Sequence, residues 1–269
     1  MYKSKSWHIM PPISAETNRE LGPYSRLSNQ LLHNRGVRTL TEREIFLSRN
    51  EDLLQDPLLL PNISSAIKRI KQALERKESI SVFGDFDADG TTGTALLAEG
   101  LETLGAKVIP YIPHRIKEGH GLNQQAIESL KDQGVSLIIT VDCGVTSSKE
   151  ISMANTLAID TIVTDHHPPG DTLPDALAII NPLLPESTYP FTGLAGVGLA
   201  FKLVQALFEN LNMQWDKRLL QMAAVGTITD VTPIIKENRY IVSEGIKSMN
   251  EVPNTGLKEL LRMGGQDQY

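Results

Sequence analysis

The chain has 269 residues, of which 41% are hydrophobic and 22% are charged, and its formal net charge is −6. No apolar run approaches the ~18 residues of a membrane span, and the N-terminus lacks a hydrophobic signal segment, so we expect a globular cytoplasmic protein with no membrane partner. The negative charge argues against a general nucleic-acid binder unless bound cations offset it, and the single cysteine, Cys143, excludes an internal disulfide.

The first 61 residues are predicted to form an irregular and helical leader that packs on the rest of the chain. A helix is expected from Ser25 to Asn34, ended by Gly36. Thr41, with Glu44 three residues later, matches a capping box and predicts a short helix that starts at this threonine.

A longer helix is predicted after Asn62, whose side chain can cap it. Its apolar residues recur at helical spacing, at Ile63, Ala66, Ile67, Ile70 and Leu74. The basic residues of the same segment are interpreted as a solvated helix face: Lys68, Arg69 and Lys71.

From residue 80 the chain alternates short apolar strands with helices of about ten residues or more. The predicted strands are ISVFG from Ile80, KVIPYI, SLIITV, DTIVT and ALAII. The predicted helices run over residues 91–104, 122–133, 147–157, 195–211, 215–229, 239–249 and 257–263. Pro110 makes KVIPYI an edge or irregular strand. We therefore expect an α/β fold, with a Rossmann-like parallel β-sheet flanked by helices over residues 80–192 and a mainly helical segment over 193–269.

Polar side chains follow three of the predicted strands at the point where each strand ends. They are Asp85, Asp87 and Asp89 after ISVFG, Asp142 after SLIITV, and Asp165, His166 and His167 after DTIVT. The carboxyl ends of parallel strands meet at one rim of the sheet, where ligands bind. Carboxylates crowded at this rim repel one another unless cations lie between them. Together with Asp230 from the helical region, they predict a site for two divalent ions bridged by a carboxylate such as Asp142.

Each of these features also has a plainer interpretation. DFDADG resembles an EF-hand calcium loop, but Leu96 stands where that loop needs a bidentate glutamate. A histidine pair is often structural, Asp142 alone could cap a helix, and Cys143 is better explained as a buried small hydrophobe than as a reactive thiol. The glycines of TGLAGVGLAF predict either a phosphate-binding helix N-terminus or close packing of a helix on the sheet. For the aspartates and histidines, their joint placement at strand ends favours metal ligation.

Four short motifs in this order resemble the DHH phosphoesterase superfamily: the aspartates of GDFDADG, the aspartate of TVDCG, the run TDHH and the aspartate of AVGTITD. The longer stretches SVFGDFDADGTTGT, YIPHRIKEGHGLN, IITVDCGVTS, IVTDHHPP and LAGVGLAFKL are similar to RecJ-type single-strand-specific exonucleases, as is the leader QLLHNRGVRTLTEREIFL. The resemblance covers the chain from about residue 25 onward and implies a DHH catalytic domain over residues 62–269.

The resemblance also implies roles for individual residues. The implied metal ligands are Asp87, Asp89, the bridging Asp142, His166 and Asp230, with Asp85 as a partial substitute for a histidine that many relatives carry where this chain has Phe83. Asp165 is expected to fix the neighbouring imidazole, and His167 to face the scissile phosphate. Arg115 is expected to hold a phosphate, and His120, where relatives carry tyrosine, to stack on a base. Oxygen-rich ligation with one imidazole favours two ions of Mn²⁺, with Mg²⁺ as the alternative.

The implied activity is that of a two-metal-dependent phosphodiesterase, a 5′-to-3′ exonuclease for single-stranded DNA that acts in DNA repair and recombination. The alternatives are a DHH-type phosphodiesterase for short oligonucleotides or cyclic dinucleotides, a more remote pyrophosphatase, and a non-catalytic DNA-binding scaffold. RecJ-type proteins continue with a DHHA1 domain and commonly an OB-fold, so we expect weak or absent exonuclease activity from these residues alone. The implied partners are single-stranded DNA, that C-terminal module, and a single-strand-binding protein or helicase.

Overall fold

The computed structural model describes residues 8–265, which fall into two compact units that divide between Asn50 and Glu51. The single-turn 3₁₀ helices Glu51–Leu53 and Pro57–Leu59 belong to the second unit, whereas the sequence placed the boundary after residue 61. No helix among the described residues combines the length and the apolar character that crossing a membrane requires.

Over residues 8–50 the first unit contains three short helices: α1 (Ala15–Glu20), α2 (Arg26–Asn34) and α3 (Leu40–Leu47). They enclose a small core of Ile13, Leu21, Leu32 and Val37. Helix α2 begins after its cap Ser25, as predicted.

The predicted capping box at Thr41 and Glu44 is wrong, because the box that forms uses Thr39 and Glu42. The side chain of Thr39 accepts from the Glu42 amide, and the carboxylate of Glu42 accepts from two amides, those of Arg38 and Thr39. The sequence TLTERE contains two overlapping boxes. The earlier one satisfies an additional backbone donor and starts the helix sooner.

Helix α4 (Ile63–Arg76) is the first α-helix of the second unit and follows Asn62, but the side chain of Asn62 does not cap it. Instead the side-chain amide of Asn62 donates to the carbonyl oxygen of Ile179, 3.1 Å away. The predicted apolar stripe is buried except for Leu74, which is half-buried. The prediction that Arg69 is solvated is wrong, because it is 8% exposed and bound to Glu78 and Asp160.

The sheet contains the five predicted strands, all paired in parallel. They are β1 (Ser79–Gly84), β2 (Lys107–Tyr111), β3 (Val135–Val141), β4 (Asp160–Thr164) and β5 (Ala178–Ile180). The order β2-β1-β3-β4-β5 places Pro110 in an edge strand, as predicted. Strand β2 lies on one side of β1, and β3 lies on the other side. The direction in which successive strands are added to the sheet therefore reverses between β1 and β3. A crevice at the carboxyl ends of these two strands is where ligands bind in such sheets.

Helices cover both faces of the sheet. The helices in contact with the strands are α4, α5 (Ala88–Thr103), α6 (Gln124–Asp132), α7 (Ser148–Thr156) and α8 (Gly196–Asn210). Helix α9 (Leu219–Thr229) packs on α5 and α8, α10 (Lys236–Glu251) packs on α9, and α11 (Thr255–Met263) follows. Neighbouring residues of β1 point to opposite faces, so Val82 belongs to the core beneath α4, α5 and α8, and Phe83 to the core beneath α6 and α7. The Rossmann-like sheet followed by a helical segment is therefore confirmed.

Three helix starts differ from the prediction by three residues or more. Helix α5 begins at Ala88 rather than at residue 91, because the side chain of Asp87 accepts from the Gly90 amide and caps it. Helix α9 begins at Leu219 rather than at residue 215, because Asp216 binds the amide and guanidinium of Arg218 in a local turn. Helix α10 begins three residues earlier than expected, at Lys236.

Candidate metal centre

Backbone hydrogen bonds continue the strand pairing for one residue beyond the ends of β1, β3 and β4. They align the first polar residue that follows each of these strands. The Asp85 amide donates to Val141, the Asp142 amide to Thr164 and the Asp165 amide to Ile180, at 3.0–3.2 Å. The three aspartates therefore follow adjacent strands at one rim. This convergence was predicted from their positions at strand ends.

Asp87 and Asp89 lie at the start of α5. Asp87 caps this helix and is exposed, whereas Asp89 is buried in the first turn. Both oxygens of the Asp89 carboxylate are bound by the start of α8, with Gly196 N 2.6 Å from Oδ2 and Val197 N 2.8 Å from Oδ1. The first two amides of α8 are thus occupied by Asp89, which favours close packing over phosphate binding as the role of Gly196.

His166 joins carboxylates from three separate elements. Its Nε2 lies 3.0 Å from Asp142 Oδ1 and 3.7 Å from Asp89 Oδ2, and its Nδ1 lies 3.8 Å from Asp230 Oδ2. Asp142 follows β3, Asp89 lies in the first turn of α5, and Asp230 follows the last residue of α9. The structure therefore brings these four predicted ligands together.

His167 is oriented by Asp165. The Oδ1 atom of Asp165 lies 2.8 Å from His167 Nδ1 and accepts from the His167 amide at 3.1 Å, while Oδ2 accepts from the Val145 amide. The imidazole that Asp165 fixes is thus the one two residues away and not the adjacent His166. The side chain of His167 is 55% exposed, which leaves its outer edge open to solvent.

The loop between β2 and α6 places His120 and Arg115 beside the aspartates. His120 Nδ1 lies 3.1 Å from Asp85 Oδ2, and the Gly121 amide donates to Asp85 Oδ1. The ring centroids of His120 and Phe86 are 4.3 Å apart, and the guanidinium of Arg115 lies over the same Phe86 ring at 4.8 Å. Sequence reasoning missed Phe86, although an aromatic residue between Asp85 and Asp87 in a polar loop is a usable signal.

The surroundings of these groups shift their protonation. Burial, reinforced by the Asp142 carboxylate, raises the pKa of Asp89 to about 7. Burial also raises the pKa of Asp142 and of Asp230. The hydrogen bond to Asp165 raises the pKa of His167 to about 9. Such shifts are expected where several carboxylates share a buried site without a counter-ion.

Ligating atoms of the predicted metal ligands, and of His167 in one case, lie within 4.8 Å of one another in each of three overlapping groups. The groups are Asp85, Asp87 and Asp142; Asp89, His166 and Asp230; and Asp142, His166 and His167. Carboxylate oxygens with imidazole nitrogen are ligands that suit Mn²⁺ or Mg²⁺. A cavity of about 360 Å³ opens beside them, lined by Asp85, Asp87, Asp142, Asp165 and His167 and by residues 143–147. The donor set therefore fits divalent ions beside a space that a substrate can enter.

Comparison with known proteins gives a consistent result. The DHH family, N-terminal domain, matches residues 79–227. The single-stranded-DNA-specific exonuclease RecJ of Bacillus subtilis (strain 168) is 45% identical over 237 residues, which are 88% of this chain and 30% of that relative.

Two solved structures of RecJ from Thermus thermophilus are similar over 93% of this chain. The one in complex with Mn²⁺ has a TM-score of 0.75 at 33% identity, and the one in complex with Mg²⁺ has a TM-score of 0.63 at 30% identity. This chain covers 35% and 32% of those two chains, so it spans about a third of the length of these relatives. Since the family match takes in more than half of its residues, the chain belongs to the DHH family.

Proposed function

We propose that this chain carries the catalytic site of a two-metal-dependent 5′-to-3′ exonuclease for single-stranded DNA. The observation that carries the proposal is the pair of three-residue groups, Asp85–Asp87–Asp142 and Asp89–His166–Asp230, the first of which lines an open cavity. Asp142 belongs to the first group and binds His166 of the second, so its carboxylate can serve both ions. The RecJ relatives, which are named as single-stranded-DNA-specific exonucleases, support this substrate over dinucleotides.

In this proposal Asp87, Asp89, Asp142, His166 and Asp230 hold two ions, with Mn²⁺ preferred over Mg²⁺. Two such ions supply charge stabilisation at the phosphate and an activated water. Both oxygens of Asp85 already bind groups of the loop before α6, namely His120 and Gly121. Asp85 contributes to the first group mainly by placing negative charge beside Asp87.

His167 is proposed to stabilise negative charge on the scissile phosphate. Its Nδ1 is bound to Asp165, so Nε2 is the atom left to donate to a phosphate oxygen. The raised pKa of about 9 keeps the imidazole protonated at neutral pH, as this role requires. Asp165 acts through His167 by holding the ring in one orientation.

Arg115 and His120 are proposed to contact the nucleic acid. The guanidinium of Arg115 stacks on Phe86, which leaves its N–H edge available for a phosphate. His120 is mostly exposed and lies beside the same ring, so it can extend a stacking surface for a base, with less area than a tyrosine.

The proposed setting is DNA repair and recombination in the cytoplasm, with a DHHA1 and OB-fold module and a single-strand-binding protein or helicase as partners. A non-catalytic scaffold of the same fold is less well supported, because the residues predicted as metal ligands are grouped closely enough to bind ions.

The test is Mn²⁺-dependent release of nucleotides from 5′-phosphorylated single-stranded DNA, compared with dinucleotides and cyclic dinucleotides. We expect Asp142→Ala to lower the rate at least about 1000-fold, equivalent to about 4 kcal/mol of transition-state stabilisation, because it removes the shared ligand. Asp132→Ala, which changes an exposed aspartate at the end of α6, is the control and should retain the wild-type rate. Near wild-type turnover by Asp142→Ala would reject the two-metal assignment, and faster cleavage of dinucleotides would favour the alternative substrate.

A further inference from the structure

The first turn of α8 contacts both acidic groups of the candidate metal centre. Its first two amides, those of Gly196 and Val197, donate to the two oxygens of Asp89. The Asp89 residue is 1% exposed, so no water competes for these bonds. The positive end of the helix therefore faces a carboxylate that belongs to one of the ligand groups.

Gly196 also lies against Asp142. A Cβ atom at residue 196 would lie 2.5 Å from the Cβ and 2.8 Å from the Cα of Asp142, and 2.9 Å from Asp89 Oδ2. The Asp142 atoms belong to or adjoin the backbone, so rotation of a side chain cannot remove the contact. Asp142 itself has a φ of +62°, in the left-handed region, which leaves it little freedom to adapt. Only a glycine at residue 196 allows α8 to come this close to both aspartates.

Helix α9 encloses Asp89 from another direction. A Cβ atom at Gly226 would lie 3.0 Å from Asp89 Oδ1 and 2.4 Å from the Thr92 hydroxyl. The carboxylate of Asp89 is thus confined by glycines of two helices and oriented by the amides of one of them. Its position relative to Asp142 is consequently set by the helix backbones.

We propose that Gly196 is a positioning residue, which fixes the spacing of the Asp89 and Asp142 carboxylates so that they hold a pair of divalent ions. The proposal rests on the proposed function, in which both aspartates are ligands. Metal–ligand distances tolerate about 0.2 Å of displacement. Relief of a 2.5 Å carbon–carbon contact requires a larger shift of α8 or of Asp142. A methyl group at residue 196 therefore changes the ligand spacing while it adds no charge and removes no ligand.

The experiment compares Gly196→Ala with Gly198→Ala in the same chain. The three atoms nearest to a Cβ atom at Gly198 all belong to the side chain of Leu194, at 3.2–3.8 Å, so this control gives the same change in helix propensity without close contact to an aspartate. Mn²⁺ binding is measured by calorimetry, and the coupling of neighbouring Mn²⁺ ions by electron paramagnetic resonance. Thermal unfolding without metal reports whether each variant folds.

We expect the wild type and Gly198→Ala to bind two coupled Mn²⁺ ions. Gly196→Ala should fold, bind Mn²⁺ at least about tenfold more weakly and lose the coupled signal, as happens when groups that orient ligands are altered. Wild-type affinity with a coupled signal in Gly196→Ala would overturn the positioning role. Failure of the wild type to bind two ions would instead overturn the proposed function. If Gly196→Ala does not fold, Gly226→Ala, which displaces Asp89 from the α9 side, decides by the same two measurements.

Discussion

Two buried polar clusters of the second unit differ in how their charges are balanced. One is the candidate metal centre, in which Asp89, Asp142 and Asp230 surround His166. The other joins α8 to α10 through Lys202 and Glu237, whose side chains are both 0% exposed. Only one of the two clusters pairs each buried charge with an opposite charge.

In the second cluster each charged group is fully satisfied. The ammonium group of Lys202 contacts Glu237 at 3.1 Å and donates to the Gln205 side chain and the Gln55 carbonyl. The carboxylate of Glu237 accepts from the Tyr189 hydroxyl and from the Gln55 amide. One cation thus meets one anion, and three acceptors surround the three ammonium hydrogens.

The metal centre has no such balance. Its carboxylates outnumber the imidazoles, and burial raises the pKa of Asp89, Asp142 and Asp230. A buried ion pair that is complete acts as part of the architecture, whereas buried like charges call for a ligand of opposite charge. Burial of charged side chains therefore has different meanings in the two clusters, and the balance of charge distinguishes them.

The largest effect on stability is expected from breaking the balanced cluster. Lys202→Met would leave Glu237 buried without its cation, and we expect a loss of about 3–5 kcal/mol in the free energy of unfolding. Urea denaturation monitored by circular dichroism measures this loss. Mn²⁺ affinity of the folded fraction should be unchanged, because the cluster contains no proposed ligand.

The matched control for this prediction is the double variant Lys202→Met with Glu237→Gln. It removes both charges and keeps an acceptor for the Tyr189 hydroxyl. It should recover at least about 2 kcal/mol of the loss, since replacing both members of a buried pair is far less costly than removing one. A loss below about 1 kcal/mol in the single variant would mean that Glu237 does not depend on Lys202.

An intermediate effect is expected from pH at the unbalanced cluster in the absence of metal. Asp89 has a pKa of about 7 in the folded protein and an ordinary value of 3.8, so the folded state keeps a proton that the unfolded chain has lost. Between these two pKa values the folded state binds more protons than the unfolded chain. The free energy of unfolding therefore falls as the pH rises from 3.8 to about 7. His167, with its pKa raised to about 9, acts in the same direction at higher pH. We expect a fall of about 2 kcal/mol between pH 5 and pH 8, dominated by Asp89.

Bound Mn²⁺ should reverse this dependence, because the ions compete with the protons for the same carboxylates. Saturating Mn²⁺ at pH 8 is expected to raise stability by about 3 kcal/mol at a concentration 100-fold above its dissociation constant. Differential scanning calorimetry at pH 5 and pH 8, with Mn²⁺ and with a chelator, measures both effects. A stability that is independent of pH with the chelator would show that the acidic cluster is already balanced.

Local patterns in the sequence predicted much of this arrangement. The alternation of strands and helices indicated the parallel sheet, and Pro110 identified the edge strand. The strand ends placed Asp85, Asp142 and Asp165 at one rim because that rule depends only on strand direction. The resemblance to the DHH superfamily supported the inclusion of Asp230, which lies far from the others along the chain.

Features that depend on long-range packing could not be read from the sequence. The bond from the Gly196 amide to Asp89 joins residues 107 positions apart, so TGLAGVGLAF alone left two interpretations open. Lys202 stands in an apolar helical segment without any local sign of its partner in α10. Arg69 looked solvated because its partner Asp160 is 91 positions away. In each case the decisive contact lies on another element.

The smallest effect is expected where water screens the charges. Arg69 binds Asp160, whose side chain is 48% exposed, and Glu78, whose side chain is 16% exposed and also accepts from the Ser136 hydroxyl. We expect Asp160→Asn to cost less than about 1 kcal/mol, because water replaces much of what an exposed partner provides. Glu78→Gln should cost more, since it weakens the better-buried partner of the guanidinium. Urea denaturation of the two variants at low and high salt compares them. If Asp160→Asn costs as much as Glu78→Gln or more, solvent exposure does not determine how much each carboxylate contributes to stability. That result would also weaken the argument from burial for the two buried clusters.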